Sequence, residues 1–102
     1  MLSPKNRAYL KGLANHLKPS LNIGKGDIDQ TLLDVLDKAL EAHELVKVRV
    51  LETASSTFEE ISDSLCEGTG AQFVGKAGHI ITLYRESKKN KTIVLPHKWT
   101  IR

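Results

Sequence analysis

The stretch that decides the fold spans residues 28–50 and reads IDQTLLDVLDKALEAHELVKVRV. Apolar residues first recur at the three- and four-residue spacing of a helix, and then at every second position in Val46, Val48 and Val50. This change of period predicts a helix over about residues 28–43, followed directly by a strand over about 44–51. A helix that leads straight into an alternating strand is typical of an α/β domain.

The predicted helix has two chemically different sides. Asp27 fits its N-cap, with Gln30 three residues later as the reciprocal partner. Its core side is predicted to comprise Ile28, Leu32, Val35, Leu36, Ala39, Leu40 and His43, and its outer side Asp34, Asp37, Glu41 and Glu44. In the strand that follows, Lys47 and Arg49 alternate with the valines, so they are expected on the less buried face of the sheet.

Toward the N-terminus, Ser3 and Pro4 predict the start of a helix over about residues 4–17, which Pro19 ends. Leu10, Leu13, Ala14 and Leu17 form its apolar side, and another side carries Arg7, Lys11, Asn15 and Lys18. Residues 20–23 alternate polar and apolar, as a short strand would. The glycines and lysine of Gly24-Lys25-Gly26 predict a turn before the next helix.

Toward the C-terminus, a capping box from Ser56 to Glu59 predicts a third helix, which Gly68 and Gly70 end. Its buried positions are predicted to be Phe58, Ile61 and Leu65, and its outer positions Glu59, Glu60, Asp63 and Glu67. Residues 71–76 and 79–85 then form a predicted hairpin around Gly75-Lys76-Ala77-Gly78, and residues 92–95 could form a short strand. The order α-β-α-β-α-β-β predicts one compact α/β domain with a four-stranded mixed sheet.

Length and composition limit the class of protein. A chain of 102 residues with 40% apolar residues fits one soluble domain. No stretch approaches the roughly 20 apolar residues that span a bilayer, and the basic N-terminus lacks the apolar run of a signal peptide. Cys66 is the only cysteine, which suits a reducing compartment. We therefore expect a cytoplasmic protein with no membrane partner.

The net charge of +3 hides a strong segregation of charge along the chain. Residues 1–26 carry five basic residues and no acid, residues 27–67 carry eleven acids against three basic residues, and residues 68–102 carry seven basic residues against one acid. If the two ends meet in the fold, one face is basic and another is acidic. A basic face attracts polyanions, whereas charge alone is equally compatible with solvated surfaces that have no partner.

Residue patterns for catalysis or metal binding are missing from the sequence. His16, His43, His79 and His97 are far apart, and no pair of cysteines or histidines has the spacing of metal ligands. Cys66 follows an acidic helix, where Glu67 and the negative helix end would raise the pKa of its thiol. We therefore expect no enzyme activity, no metal and no cofactor.

Nucleic acid is the ligand class that the basic residues favour. Each of the two predicted Gly/Lys turns allows backbone N–H groups to approach a phosphate, and a lysine adds charge. Only five aromatic residues are available for base stacking, so recognition of the shape and backbone of folded RNA fits better than sequence-specific reading. The alternative is a protein-interaction module whose acidic helices bind a basic partner.

Several short motifs, in order, resemble the CRM domain in its small stand-alone bacterial form (YhbY-like). Near the N-terminus these are Lys11-Gly12-Leu13-Ala14, His16-Leu17-Lys18-Pro19 and Ile23-Gly24-Lys25. The middle and end of the chain contribute His43-Glu44-Leu45-Val46-Lys47-Val48, Thr69-Gly70-Ala71, Gly75-Lys76, Leu83-Tyr84-Arg85 and Thr92-Ile93-Val94-Leu95-Pro96. The resemblance covers nearly the whole chain. It divides the chain into a CRM-type RNA-binding domain at 1–96 and a tail at 97–102.

The resemblance implies a fold similar to the C-terminal domain of bacterial translation initiation factor three. It also implies RNA binding, with ribosomal RNA or precursors of the large ribosomal subunit as the partner. Separately, we expect a monomer, whose acidic helices could bind a basic ribosomal protein. The family's G-x-x-G loop near the first strand corresponds to Gly24-Lys25-Gly26-Asp27, which lacks the fourth glycine, whereas Gly75–Gly78 matches G-x-x-G literally. Which loop contacts phosphate therefore stays open.

The predicted RNA-binding residues come from two sources. The resemblance supports Lys25, Lys76 and Arg85 individually. The charge pattern and the two glycine turns add Arg7, Lys11, Lys18, Gly24, Gly26, Lys47, Arg49, Gly75, Gly78, Lys88 and Lys89.

Overall fold

The computed structural model describes residues 3–24, 28–51, 57–89 and 93. Its helices are α1 (Pro4–Ala14), α2 (Gln30–His43) and α3 (Phe58–Thr69), and its strands are β1 (Leu21–Ile23), β2 (Leu45–Val50), β3 (Gln72–Ala77) and β4 (Ile80–Tyr84). This order confirms the predicted α-β-α-β-α-β-β arrangement. Of the predicted strand at 92–95 only Ile93 is described, and the tail from residue 97 and the cap Asp27 lie outside the described residues.

The four strands form one mixed sheet in the order β1-β2-β4-β3. β1 pairs parallel with β2, because α2 carries the chain back to the same end of the sheet. β4 pairs antiparallel with both β2 and β3, and a register shift between Phe73 and Gly75 bends β3. The sheet confirms the predicted mixture of parallel and antiparallel strands.

The sheet separates two apolar clusters. On one face, α2 and α3 pack on a large cluster that includes Leu36, Leu40, Val46, Val48, Val50, Ile61, Leu65, Ile81 and Leu83. On the other face, α1 covers a smaller cluster of Leu10, Ala14, Leu45, Val74 and Tyr84. The valines of β2 thus point toward α2 and α3, while Lys47 and Arg49 point toward α1, as the alternation predicted.

Helix α1 is shorter than predicted. Ser3 caps it by accepting a hydrogen bond from the Asn6 amide, and the helix ends at Ala14 rather than at Leu17. Beyond Ala14, the amides of His16 and Leu17 each donate to the carbonyl three residues earlier, a tightened end that the apolar spacing does not reveal. Leu17 is consequently exposed rather than part of the core.

Helix α2 begins two residues later than predicted, with Asp29 as its cap. The Asp29 carboxylate accepts from the Leu32 amide at 2.9 Å, and the Gln30 side chain donates to Asp34 rather than to a cap. Two aspartates two residues apart fit the cap pattern equally well, so the sequence could not choose between them. The predicted core positions Val35 and His43 were also wrong, because both side chains are exposed.

Glu44 lies at the junction between α2 and β2 and determines the geometry of this junction. Its φ of 64° ends the helix and redirects the chain into the strand, and its side chain is fully buried. One carboxylate oxygen accepts from the Ser87 amide and the other from the Ile93 amide, each at 2.8 Å. The prediction of Glu44 on the outer side of the helix was wrong, because the helical pattern stops one residue before it.

Helix α3 is capped by Thr57 rather than by Ser56. The Glu60 amide donates to the Thr57 hydroxyl at 3.1 Å, and the Glu60 carboxylate accepts from the Thr57 amide at 3.0 Å. The bond from the Thr57 amide, followed by a second bond that the Thr57 hydroxyl donates to the same oxygen at 3.2 Å, lowers the pKa of Glu60. The predicted capping box existed but was placed one residue too early, since the sequence offers two such pairs in adjacent registers. Gly70, with a φ of 76°, forms the C-cap.

The hairpin between β3 and β4 turns at Gly78 and His79 only. Ala77 pairs with Ile80 across this two-residue turn, and Gly78 has a φ of 59°, a conformation that glycine favours. Gly75 and Lys76, which were predicted to belong to the turn, lie within strand β3.

None of the helices in the described ranges is long and apolar enough to cross a membrane.

Tyr84 supplies a test of the smaller cluster through pH. Burial, together with the charges of Glu44 and Glu86, raises the pKa of Tyr84 from 10.0 to about 12. The folded protein therefore binds the Tyr84 proton more tightly than the unfolded chain does. The stabilisation that comes from this proton is fully present below pH 10 and is lost as pH rises toward 12. Over this range we expect the free energy of unfolding to fall by about 2 kcal/mol more in wild type than in Tyr84→Phe, as measured by urea unfolding at stepped pH.

Tyr9→Phe is the matched control for this measurement, because Tyr9 is an exposed tyrosine on the same side of the sheet. It should retain the alkaline slope of the wild type. A Tyr84→Phe variant that loses stability as steeply as wild type would contradict the assignment.

Candidate nucleic-acid interface

Helix α1 and all four strands contain no acidic residue. Eleven of the twelve acids lie within residues 27–67, and the other is Glu86. The exposed acids of the two remaining helices are Asp34 and Asp37 on α2, and Glu59, Glu60, Asp63 and Glu67 on α3. Because α1 lies on one face of the sheet and α2 and α3 on the other, the charge segregation along the chain becomes a segregation between two faces.

Lys5 lies at the start of α1, and five cations of the predicted set also lie on the α1 side of the sheet. We call these five the basic face: Arg7, Lys11, Lys18, Lys47 and Arg49. Arg7 and Lys11 are four residues apart on α1 and therefore share one side of the helix. Lys47 and Arg49 alternate along β2 toward the same side. Lys11, Lys18 and Arg49 are exposed, and the other two are partly buried. These residues come from α1, from the segment after it and from β2. The predicted meeting of the two basic ends of the chain is not found among the described residues, because Lys76 and Arg85 contact the side of α2 and α3.

Two hollows border α1, and Lys47 lines both of them. The first has a volume of about 190 Å³ and is lined by Lys11, Ala14, Asn15, Lys47, Gly75, Lys76, Ala77, Ile80 and Thr82. The second, of about 370 Å³, is lined by Leu13, Leu17, Lys18, Ser20, His43, Leu45, Lys47 and Ile93. Lysines line both hollows and offer positive charge to an anion such as a phosphate. Among the described residues, no carboxylate lines either hollow.

Lys47 has a structural contact as well as a place on the basic face. Its ammonium donates to the Leu17 carbonyl at 3.2 Å. This bond ties the segment that follows α1 to the middle of β2, and so holds Lys18 next to the sheet. A substitution of Lys47 would therefore change both the charge and the position of its neighbours.

Lys76 points away from the basic face. It pairs with Ile81, whose side chain belongs to the α2–α3 cluster, and its ammonium lies 4.3 Å from the centroid of the Phe58 ring. This is the geometry of a cation–π contact. The side chain is exposed. The structure therefore does not bring the Lys76 charge together with that of Lys11 or Lys47.

Arg85 is bound by the acidic side of the protein. Its guanidinium donates to the Asp37 carboxylate, to the Thr69 carbonyl at 2.7 Å and to the Asp37 carbonyl at 3.1 Å, and lies 3.6 Å from Glu41. Its side chain is only 20% exposed. These contacts join the end of β4 to α2 and α3, so Arg85 has a structural role and is separate from the basic face.

Substitution of Arg85 should therefore reduce stability. We expect Arg85→Ala to lower the free energy of unfolding by about 1–2 kcal/mol, mainly because the Thr69 carbonyl loses its charged donor. Urea denaturation measures this change. Arg49→Ala is the matched control, since Arg49 is an exposed arginine on β2, and we expect a change of less than about 0.5 kcal/mol. Equal losses in the two variants would contradict the structural role of Arg85.

Lys88 and Lys89 are fixed to α2 through their backbone. Both amides donate to one oxygen of Glu41 at 3.1 Å, and the Ser87 hydroxyl donates to the same oxygen at 2.7 Å. The Ser87 bond, followed by the other contacts, lowers the pKa of Glu41. Both residues are exposed, and their backbone lies against α2. Lys25 and Gly26 lie outside the described residues, and Gly24 is partly buried at the end of β1.

Other chemistries have little support in this part of the chain. Among the described residues, no group of three or more His, Cys, Asp or Glu side chains could hold a metal ion. Burial raises the pKa of the Cys66 thiol and the charge of Asp63 adds to this, against a hydrogen bond to Ser62. The direction agrees with the prediction, but the cause is burial rather than Glu67.

The uncharged lining of the first hollow beside α1 was not predicted from the sequence. Asn15 was predicted only as part of a polar helix side, Ala77 as part of the hairpin turn and Thr82 as a strand residue. Gly75 and Ala77 are small residues on the same face of β3, which leaves space under α1. Small residues at alternate positions of one strand are a signal that could have indicated this groove.

Comparison with known proteins agrees with this fold. Residues 2–85 match the family described as the CRS1 / YhbY (CRM) domain. The chain is 38% identical to "Probable RNA-binding protein YqeI" of Bacillus subtilis, over 94% of this chain and 100% of that one. It is 39% identical to a protein of Haemophilus influenzae named "RNA-binding protein", over 95% and 97% of the two chains.

A solved structure is also similar. The solution structure of the hypothetical protein SAV1595 from Staphylococcus aureus, described there as a candidate RNA-binding protein, superposes with a TM-score of 0.79. The two chains are 41% identical, and the match covers 94% of this chain and all of the other. With a family match over most of its length and relatives of nearly equal length, this chain belongs to the CRS1 / YhbY (CRM) domain family.

Proposed function

We propose that the protein binds structured RNA through the basic face, as a cytoplasmic monomer. The observation that carries the proposal is the absence of any acid from α1 and the sheet, while the acids collect on the opposite helices. A surface of one charge sign attracts the phosphates of RNA and orients their approach. The names of the relatives as RNA-binding proteins support the same function.

The surface suits recognition of an RNA backbone better than recognition of bases. Among the described residues, Tyr9 and Phe73 are the aromatic side chains that are substantially exposed, each at 41%. They lie on opposite sides of the sheet, so they cannot form one stacking platform. The basic face offers cations and the hollows beside α1. These favour the phosphates of a folded RNA, whose spacing follows its shape.

The finer proposal is that this RNA is ribosomal and that the protein acts in maturation of the large ribosomal subunit. The motifs shared with the stand-alone CRM proteins support this assignment, because the resemblance extends over nearly the whole chain. Ribosomal RNA also supplies the dense phosphate field that a cationic surface without a base-reading platform requires.

A binding titration tests the general proposal. Labelled RNA hairpin and a single strand of the same length are titrated with protein at about 50 to 200 mM salt, where each phosphate contact contributes about 0.9 to the log–log slope. With four or five cations engaged, we expect a slope near −4 and tighter binding to the hairpin. A slope near zero would exclude a phosphate-bound complex, and equal affinity for the two RNAs would exclude the preference for structure.

Sedimentation of cell extract tests the ribosomal assignment. The protein is expected to migrate with precursors of the large subunit at low salt, and to leave them at higher salt because phosphate contacts weaken. Migration as free protein at low salt would contradict the ribosomal assignment while leaving RNA binding untouched.

A second candidate function is binding of a basic protein segment by the acidic helices. A cleft of about 340 Å³ between α3 and β3 favours it, lined by Phe58, Glu59, Ser62, Asp63, Phe73, Lys76 and Ile81. Phe73 offers an apolar contact and the carboxylates offer charge. Phe73→Ala with Asp63→Asn tests this function, whereas Asp37 and Glu41 are unsuitable because they hold Arg85 and residues 87–89. Capture of basic ribosomal proteins that resists nuclease and is lost in this variant would favour it.

A further inference from the structure

Strand β3 passes directly beneath the side chain of Lys11. Gly75 is buried in this strand, opposite Thr82 in the register with β4. A Cβ atom added to Gly75 would lie 2.5 Å from Cε of Lys11, and 3.4 Å from both Cδ and Nζ. The first distance is shorter than real carbon contacts allow, so the stem of Lys11 occupies the space that any side chain at position 75 would need.

A left-handed backbone does not explain why residue 75 is a glycine, and the register shift between Phe73 and Gly75 is a separate feature at which glycine is common. Among the described residues, the glycines with positive φ are Gly70 and Gly78, and Gly75 is not one of them. A glycine within a strand weakens it, and it commonly marks a place where another group approaches the backbone closely. Here the group that approaches is the side chain of Lys11.

We propose that Gly75 is a positioning residue for the basic face. Its missing side chain lets the stem of Lys11 lie across β3, and this holds the ammonium at the hollow that Asn15 and Lys47 also line. The inference rests on the proposed function and adds to it a phosphate contact at this hollow. It also gives Gly75 a role other than that of a flexible phosphate-binding turn.

Substitution of Gly75 separates this role from a backbone contact. In Gly75→Ala the new methyl group displaces Cε of Lys11, which is the mobile end of a long side chain, so the fold is expected to persist. RNA-hairpin affinity should fall by about three- to tenfold and the salt slope by about 1, as in Lys11→Ala. In the double variant Gly75→Ala/Lys11→Ala, affinity should equal that of Lys11→Ala alone, because the two changes remove one contact.

Gly68→Ala is the matched control. A Cβ at Gly68 would lie 2.7 Å from a methyl group of Leu33, so the same substitution displaces a flexible side chain on the acidic side. We expect some loss of stability and no loss of RNA affinity. If Gly75→Ala alone fails to fold, the double variant should fold, since the obstructing stem is gone. A double variant that also fails to fold would overturn the proposal.

The outcomes distinguish the two levels of inference. Wild type that does not bind the hairpin overturns the proposed function itself. Wild type that binds, with Lys11→Ala weakened and Gly75→Ala unaffected, overturns the positioning role and leaves the function standing. A further loss from Gly75→Ala in the Lys11→Ala background would also overturn it, because Gly75 would then act through something other than Lys11.

Discussion

Replacing Lys11, Lys18 and Arg49 together with glutamine is expected to weaken binding to a structured RNA by about 100-fold. All three side chains are exposed on the α1 side of the sheet, and each comes from a different segment of the fold. An exposed charge-assisted contact contributes about 1 kcal/mol, so three losses give a decrease of this order. Lys47 is left in place because its bond to the Leu17 carbonyl supports the structure.

The salt dependence of binding should change together with the affinity. Loss of three phosphate contacts is expected to reduce the log–log slope by about 2 to 3. Fluorescence anisotropy with one hairpin over a range of salt concentrations measures both quantities. Urea unfolding of the same variant should give a free energy close to that of wild type, because surface substitutions away from specific contacts have small effects.

A charge-matched control separates the basic face from net charge. Lys38→Glu with Thr31→Glu also lowers the net charge by three, but both residues are exposed on α2, on the opposite side of the sheet. This variant should retain most of the RNA affinity. If it binds as weakly as the triple variant, overall charge rather than a defined face determines binding, and the proposed interface is wrong.

Glu44→Ala is expected to destabilise the fold by about 3 kcal/mol, a large part of the 5–15 kcal/mol typical of a whole domain. The Glu44 carboxylate is buried, and it accepts from the amides of Ser87 and Ile93. Alanine leaves both amides without this charged acceptor. The resulting loss of stability is larger than the gain from removing a buried charge. The segment after β4 then loses its attachment to the α2–β2 junction.

Urea denaturation gives the loss, and two further variants define its cause. Glu67→Ala removes an exposed glutamate from α3 and should change stability by less than about 0.5 kcal/mol. Glu44→Gln keeps the shape but offers one acceptor instead of two, and should lie between wild type and Glu44→Ala. If Glu44→Ala is as stable as the Glu67 variant, the carboxylate does not hold this segment.

Local patterns in the sequence predicted the elements and the division of charge. The change of period near residue 44 predicted α2 and β2, and the alternation in β2 predicted that Lys47 and Arg49 face away from the valines. Errors of one or two residues arose where two registers fit equally well, as with the caps of α2 and α3. The side of the sheet that each helix covers followed only from the structure.

Long-range contacts account for the remaining errors. Glu44 binds residues of the segment after β4, and Arg85 binds α2, so no pattern of neighbouring residues reveals either contact. Gly75 resembled a turn residue because Gly78 follows three positions later, whereas its role depends on Lys11 in the first helix. Such roles arise when distant segments pack together, and a single sequence carries no local signal for them.

The division of charge between the two sides of the sheet also affects how an encounter with RNA begins. The protein is an electric dipole, and the field of the RNA turns it so that α1 leads, at separations up to a Debye length of about 10 Å in 0.1 M salt. Added salt should therefore slow association more than it speeds dissociation. In a complex formed through the basic face as proposed, α2 and α3 would face outward and their negative charge would repel a second RNA, so one protein is expected to cover one RNA from one side instead of bridging two.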